Sequence, residues 1–189
     1  MDTNTNSIVF DMDTDIMKQH MLAYSTDSSR HSIYKTICFE SDGEKVHIFS
    51  TNGRVLFHTS IPANGLPKFR KAFVVDTKIP SRSFNRITCV VGDTCLTVHD
   101  TQGNAYMFPE NDSQFPNCFA VEPVDVEPAK IYKPIDPRFL TLVYKYIGEN
   151  AFWNPMDGLA CDEHSPRVWR ASGGDGVELK AVVMPYRRK

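Results

Sequence analysis

The chain has no excess of either charge. Its 21 lysines and arginines stand against 23 aspartates and glutamates, for a formal net charge of −2. That excludes a basic chain that coats nucleic acid by bulk charge, and equally a polyacidic mimic. It also has no C-x-x-C pair. Its five cysteines (Cys38, Cys89, Cys95, Cys118 and Cys161) are an odd number, which argues against a zinc cluster or a disulfide framework and for reduced, mostly buried thiols. No apolar run approaches the roughly 20 residues needed to span a bilayer. The first ten residues have neither a basic nor an apolar segment of the signal-peptide kind. The expectation is a cytoplasmic protein with no membrane partner. The six histidines show no H-x-x-x-H or H-E-x-x-H spacing, and no G-x-S-x-G or P-loop occurs. Gly173-Gly174-Asp175-Gly176 is glycine-rich but lacks the Lys-Ser/Thr that would hold phosphate and metal, so it reads as a hairpin loop. No cofactor, metal site or catalytic residue is expected.

What is present is a 41% hydrophobic chain of 189 residues, enough for a sizeable core. Its charge is uneven: residues 1–127 carry 16 acidic and 11 basic side chains, residues 128–189 carry 7 and 10. A pattern recurs three times: a short apolar strand, a helix with basic residues, then alternating strands closed by turns. The first copy has a strand over 7–10, a helix over 15–24, and strands over 32–40, 45–50 and 54–60. Ser41-Asp42-Gly43 and Thr51-Asn52-Gly53 supply its turns. The second has a strand over 71–76, a short helix over 81–89 and strands near 95–100 and 105–108. The third has a strand over 130–133, then a helix with Asp136 as N-cap, Pro137 at the first position and Gly148 as stop, and strands near 168–171 and 178–184. Segment 109–128, with four prolines, reads as an extended connector. The predicted class is α+β, with three βαβββ units.

One enzymatic reading competes. Ser7-Ile8-Val9-Phe10-Asp11-Met12-Asp13 resembles the first motif of haloacid-dehalogenase-type phosphatases, in which the first aspartate attacks phosphorus and the second is the general acid beside Mg²⁺. Val90-Val91-Gly92-Asp93 mimics a later metal motif. The intervening segment reads as hairpins, however, where that family's parallel sheet needs crossover helices. Asp13 or Asp15 is then an ordinary helix cap.

Three segments, in order, resemble the bacterial beta sliding clamp, the DNA polymerase III beta subunit that acts as processivity factor. Phe39-Glu40, continuing through Thr51-Asn52-Gly53-Arg54-Val55-Leu56, is similar to the strand and hairpin of its Thr-Asp-Gly-His-Arg-Leu motif. Phe115-Pro116-Asn117 with Val121 and Pro123 resembles the linker after its middle domain. Val182-Val183-Met184-Pro185-Tyr186-Arg187 resembles its C-terminal signature. Asn52, Arg54 and Val55 depart from the family's Asp, His and Arg. A clamp chain has six units and this chain has three. The resemblance implies that residues 1–127 form a domain like the clamp's middle domain and 128–189 a half-domain like the end of its last.

It further implies a protein without chemistry of its own, partnered by duplex DNA bound non-specifically, by DNA polymerase and by a clamp loader. Lys18, Arg82, Arg86, Arg138 and Lys145, on the three predicted helices, are the candidate DNA-facing residues. The matching peptide-groove positions are Thr51, Gly53, Arg54, Leu56, Pro116, Val121, Val182, Val183, Met184 and Pro185. With three units per chain and twelve per ring, a homo-oligomer is expected, either a dimer or a tetrameric ring. The alternative within this resemblance is a non-encircling interaction protein, a decoy or regulator of replication.

Overall fold

The computed structural model describes residues 7–24, 32–76, 86–122, 134–147 and 165–185. Strand β1 (Ile8–Asp13) alternates buried Phe10 and Met12 with exposed Val9, Asp11 and Asp13, the period-two pattern of a half-buried strand. It runs directly into helix α1 (Thr14–Met21). Asp13 has extended backbone and its carboxylate accepts from the Asp15 amide at 2.8 Å, capping the first turn. A 3-10 turn over Ser32–Lys35 leads into β2 (Thr36–Ser41), β3 (Lys45–Thr51) and β4 (Val55–Pro62). The second unit contributes β5 (Phe69–Val74), β6 (Arg86–Val91), β7 (Cys95–Asp100) and β8 (Ala105–Pro109). The third contributes α2 (Pro137–Ile147), β9 (Arg167–Ser172) and β10 (Glu178–Val183).

The expected helix over 81–89 is corrected in its second half. Residues 86–91 form a strand, because Ile87, Cys89 and Val91 are buried while the residues between them are not, and β-branched side chains favour that pleat. Residues 81–85, with Arg82, and the expected strand 130–133 lie outside the described residues.

All pairings are antiparallel and the first strands are exchanged. β1 pairs with β6 of the second unit, Phe10 opposite Cys89, and β5 pairs with β2 of the first, Phe73 opposite Ile37. The result is a four-stranded sheet β1-β6-β7-β8 and a six-stranded sheet β5-β2-β3-β4-β10-β9. The exchange makes the first two units fold as one body. Between the sheets Phe10, Met12, Ile16, Met17, Phe39, Ile48, Phe73, Leu96 and Phe108 share one core. The third unit joins through β10, which lies on β4 with Val183 opposite Val55 and Glu178 opposite Ser60. Helix α2 covers the β4–β10–β9 part of the sheet: Val143, Tyr146 and Ile147 pack on Phe57, Trp169, Ala181 and Val183. No described helix is long and apolar enough to cross a membrane.

Candidate functional site

Alternation divides the six-stranded sheet into two faces. On the helix side lie Ser50, Phe57, Thr59 and Val183, and His20 of α1 reaches across to bond Ser50 Oγ at 2.8 Å and Thr59 Oγ1 at 2.9 Å. On the other side lie Phe49, Leu56 and Val182. They form a separate core with Cys38, Ala72, Val168 and two residues of the connector, Phe115 and Cys118. The connector therefore crosses the sheet as a strap. Arg70 grips its near end, its Nη2 donating to the carbonyls of Phe115 at 3.1 Å and Pro116 at 2.7 Å.

The β3–β4 turn beside the strap is built by its own side chains. Asn52 Oδ1 accepts from the amides of Arg54 and Val55, both at 2.9 Å. Thr51 Oγ1 donates to the Val55 carbonyl at 2.8 Å and accepts from the Gly53 amide at 3.0 Å. Gly53 sits at φ +79°, a conformation that costs other residues about 1–2 kcal/mol. The Met184 amide donates to the Arg54 carbonyl at 2.9 Å, bringing the residue after β10 to the turn.

Turn, strap and terminal segment enclose a mostly apolar cavity of about 420 Å³, within the size range of ligand pockets. Thr51, Gly53, Arg54, Leu56, Pro116, Val121, Val182 and Met184 line it. Two groove candidates do not. Val183 faces α2 and is fully buried there, since its side chain points opposite to Val182, and Pro185 is buried away from the lining. Four lining residues were not anticipated: Tyr34, Val55, Gln114 and Cys118. Cys118 could be read from sequence only as a buried thiol. Burial pushes it up to about 12, and Cys38 in the same core to about 11, so neither is a nucleophile at neutral pH.

Four of the five candidate DNA-facing residues are described. Lys18 donates to Asp15 Oδ1 at 2.7 Å. Arg86 lies on a strand, not a helix, with Nε 3.8 Å from Asp11 Oδ2. Arg138 forks onto Asp136, with Nη2 2.6 Å from Oδ2, and this contact holds the Asp136 carboxyl below its usual range. Lys145 is exposed in the last turn of α2, and Arg82 is outside the described residues.

The phosphatase reading is overturned. The strand carrying Asp11 and Asp13 is antiparallel to β6, whereas that family's fold places its motif strand in a parallel sheet. Asp13 caps α1, and Asp11 Oδ1 accepts from Thr88 Oγ1 at 2.6 Å. Among the described residues no three His, Cys, Asp or Glu are grouped to hold a metal.

The sequence matches no family model and no curated protein. The fold does match solved structures. The DNA polymerase III subunit beta from Pseudomonas aeruginosa superposes with a TM-score of 0.66 at 12% identity, over 99% of this chain and 68% of that one. DNA polymerase III, beta subunit, from Thermotoga maritima gives 0.66 at 12% identity, covering 96% and 66%. The DNA polymerase sliding clamp from Bacillus subtilis gives 0.65 at 10% identity, covering 99% and 66%. The chain spans about two thirds of the length of these structures.

Proposed function

We infer that this chain, which has the sliding-clamp fold, is a replication protein that receives extended apolar peptides of DNA polymerase, a clamp loader or other replication factors in the cavity between the β3–β4 turn, the strap and the residues after β10. The observation that carries this reading is the convergence of three sequence-distant segments, 51–56, 116–121 and 182–184, around one apolar cavity. Apolar anchors flanked by polar backbone suit a short extended peptide, which leaves side chains in pockets and main-chain groups to pair at the rim. Nothing in this role requires catalysis.

The test is binding of a labelled Gln-Leu-x-Leu-Phe peptide followed by fluorescence polarisation. A dissociation constant in the micromolar range, around −8 kcal/mol, is expected. A Leu56→Ala/Met184→Ala double variant should lose binding while keeping its circular dichroism. No saturable signal from the wild type at hundreds of micromolar would overturn the reading.

Whether such a protein also encircles DNA separates two versions of the proposal. Three units per chain call for oligomerisation to close a ring, and light scattering should return a dimer or tetramer; a monomer of about the 21.4 kDa chain mass would exclude a ring. The first version keeps duplex DNA as a partner, since the ion pairs of Lys18, Arg86 and Arg138 with neighbouring aspartates are solvent-exposed and weak; the second is a non-encircling interaction protein that occupies partner peptides without sliding. Retention on nicked circular duplex, lost on linearisation, identifies the ring.

A further inference from the structure

The far end of the strap is tied down by ionisable groups, in contrast to the neutral carbonyls that Arg70 holds at the near end. The Glu122 carboxylate accepts from His58 Nδ1 in a very short contact and from Lys180 Nζ at 3.2 Å. His58 is fully buried on β4, and Lys180 is opposite it on β10. The chain of contacts continues outward to an exposed aspartate. His58 Nε2 is 3.0 Å from His47 Nδ1, both nitrogens are 3.2 Å from Ser60 Oγ, and His47 Nε2 is 3.2 Å from Asp42 Oδ2. Phe119 of the strap rests edge-on against these rings, its centroid 5.0 Å from His47, 5.1 Å from Phe49 and 5.6 Å from His58. Between the two tethers lie Pro116, Cys118 and Val121, the strap's share of the groove wall.

The contacts limit where hydrogens can lie. A carboxylate cannot donate, so His58 carries one on Nδ1 toward Glu122. The two inner nitrogens at 3.0 Å need another between them, since two facing lone pairs repel. Two hydrogens thus make both buried contacts with the pair neutral, and a third, on His47 Nε2 toward the exposed Asp42, leaves them intact. A fourth would set two N–H groups face to face.

We propose that the strap wall of the groove is latched by a histidine pair sharing one hydrogen across its inner contact, so that peptide affinity falls, through the position of the wall, when acidification charges both rings. The proposal rests on the peptide-groove reading and adds its regulation. Charging both rings would set two N–H groups against each other across the 3.0 Å contact, and that loosens the seat of Phe119 and the hold on Glu122. The burial of His58 agrees with this, pulling its basicity below the ordinary imidazole value although Glu122 pulls the other way. Burial pushes the Glu122 carboxyl up, yet His58 and Lys180 outweigh it and hold it ionised. Asp42 is held well below the carboxylate range by the Lys45 and Glu44 amides and by His47. Other ionisable groups border the cluster without entering it: the Glu40–Arg70 pair, with Glu40 opposite His47 on β2, the Lys45–Glu178 pair at the strand ends, Cys118 under the strap, and His20 and Tyr146 on the reverse face, which burial keeps neutral.

The test uses an acetylated, amidated Gln-Leu-Thr-Leu-Phe peptide with a non-titrating dye, so that only the protein ionises, measured from pH 5 to 9. Wild-type affinity should be level from pH 9 to about 7 and fall at least threefold toward pH 5. His47→Gln/His58→Gln should flatten the profile. Glu122→Gln, checked for fold by circular dichroism, should weaken binding about tenfold at the optimum, the loss of one charge-assisted hydrogen bond. Measurable wild-type binding with a flat profile, or a slope retained in the double-histidine variant, overturns the latch and leaves the groove standing. If no peptide binds, the groove reading fails and the latch is judged by hydrogen exchange of the strap amides, followed by mass spectrometry. At a common pH the segment 115–121 should exchange several-fold faster in Glu122→Gln than in wild type. Equal rates overturn the latch.

Discussion

Gly53 and Tyr34 meet at the rim of the groove so closely that a Cβ built on the glycine would lie 2.9 Å from the tyrosine hydroxyl. Two demands therefore coincide at one position, a backbone at φ +79° and the absence of a side chain.

Gly53→Ala should lower stability by more than the 1–2 kcal/mol of the backbone conformation alone and weaken peptide binding, because Tyr34 must yield. Gly65→Ala is the control: its φ is +84° but nothing lies within 4 Å of its Cβ position. Urea denaturation of both variants reads the difference. Equal losses would show that the Tyr34 contact carries no cost.

Stability should fall on mild acidification. Burial lowers His20 from 6.5 to about 3, so the folded state resists a proton that the unfolded state accepts. The contribution is complete above pH 6.5 and is lost as pH falls toward 3, by at most about 1.4 kcal/mol per pH unit. Comparing urea melts at pH 7.5 and 5.0, wild type should lose about 2 kcal/mol from this group. His58 shifts in the same direction, so His20→Gln isolates the term. A variant that loses as much as wild type would refute it.

Helix α2 should depend on Tyr146, whose ring stacks on Phe57 at 4.0 Å and 3° while its hydroxyl lies 2.8 Å from Thr59 Oγ1. Tyr146→Phe removes one buried hydrogen bond and should cost about 1 kcal/mol. Tyr146→Ala leaves a cavity and should cost about 3–5 kcal/mol. Thermal melts of the pair test the order; near-equal losses would mean that packing adds nothing beyond the hydroxyl.

For DNA contact, Lys145→Glu should weaken duplex binding and flatten its salt dependence by about one counterion, whereas Arg86→Glu, on a strand beside Asp11, should change neither. Gel-shift titrations across a salt series decide it. An effect of Arg86→Glu equal to that of Lys145→Glu would mean that the strand side of the first two units touches DNA as closely as α2.

Local chemistry determined much of this protein. Asn52-Gly53 forces the turn that opens the groove, Asp136-Pro137 starts α2, and alternating apolar residues set the strands over 45–51 and 95–100. Each depends on residues a few positions apart, so each was legible. The groove was partly legible because its walls come from three short motifs, but Tyr34 enters it from a segment with no such signal, and Cys118, inside the linker motif, read only as a buried thiol. The period-two pleat alone separates Val182 from Val183, and it was there to be counted. The exchange of β1 and β5 and the meeting of Asp42, His47, His58 and Glu122 were decided by tertiary structure. Strand registry is a long-range choice, made where Phe10 and Phe73 can share a core. The positions of His47 and His58 in the sequence say nothing of Glu122 until β4 lies beside β10 and the strap closes over both.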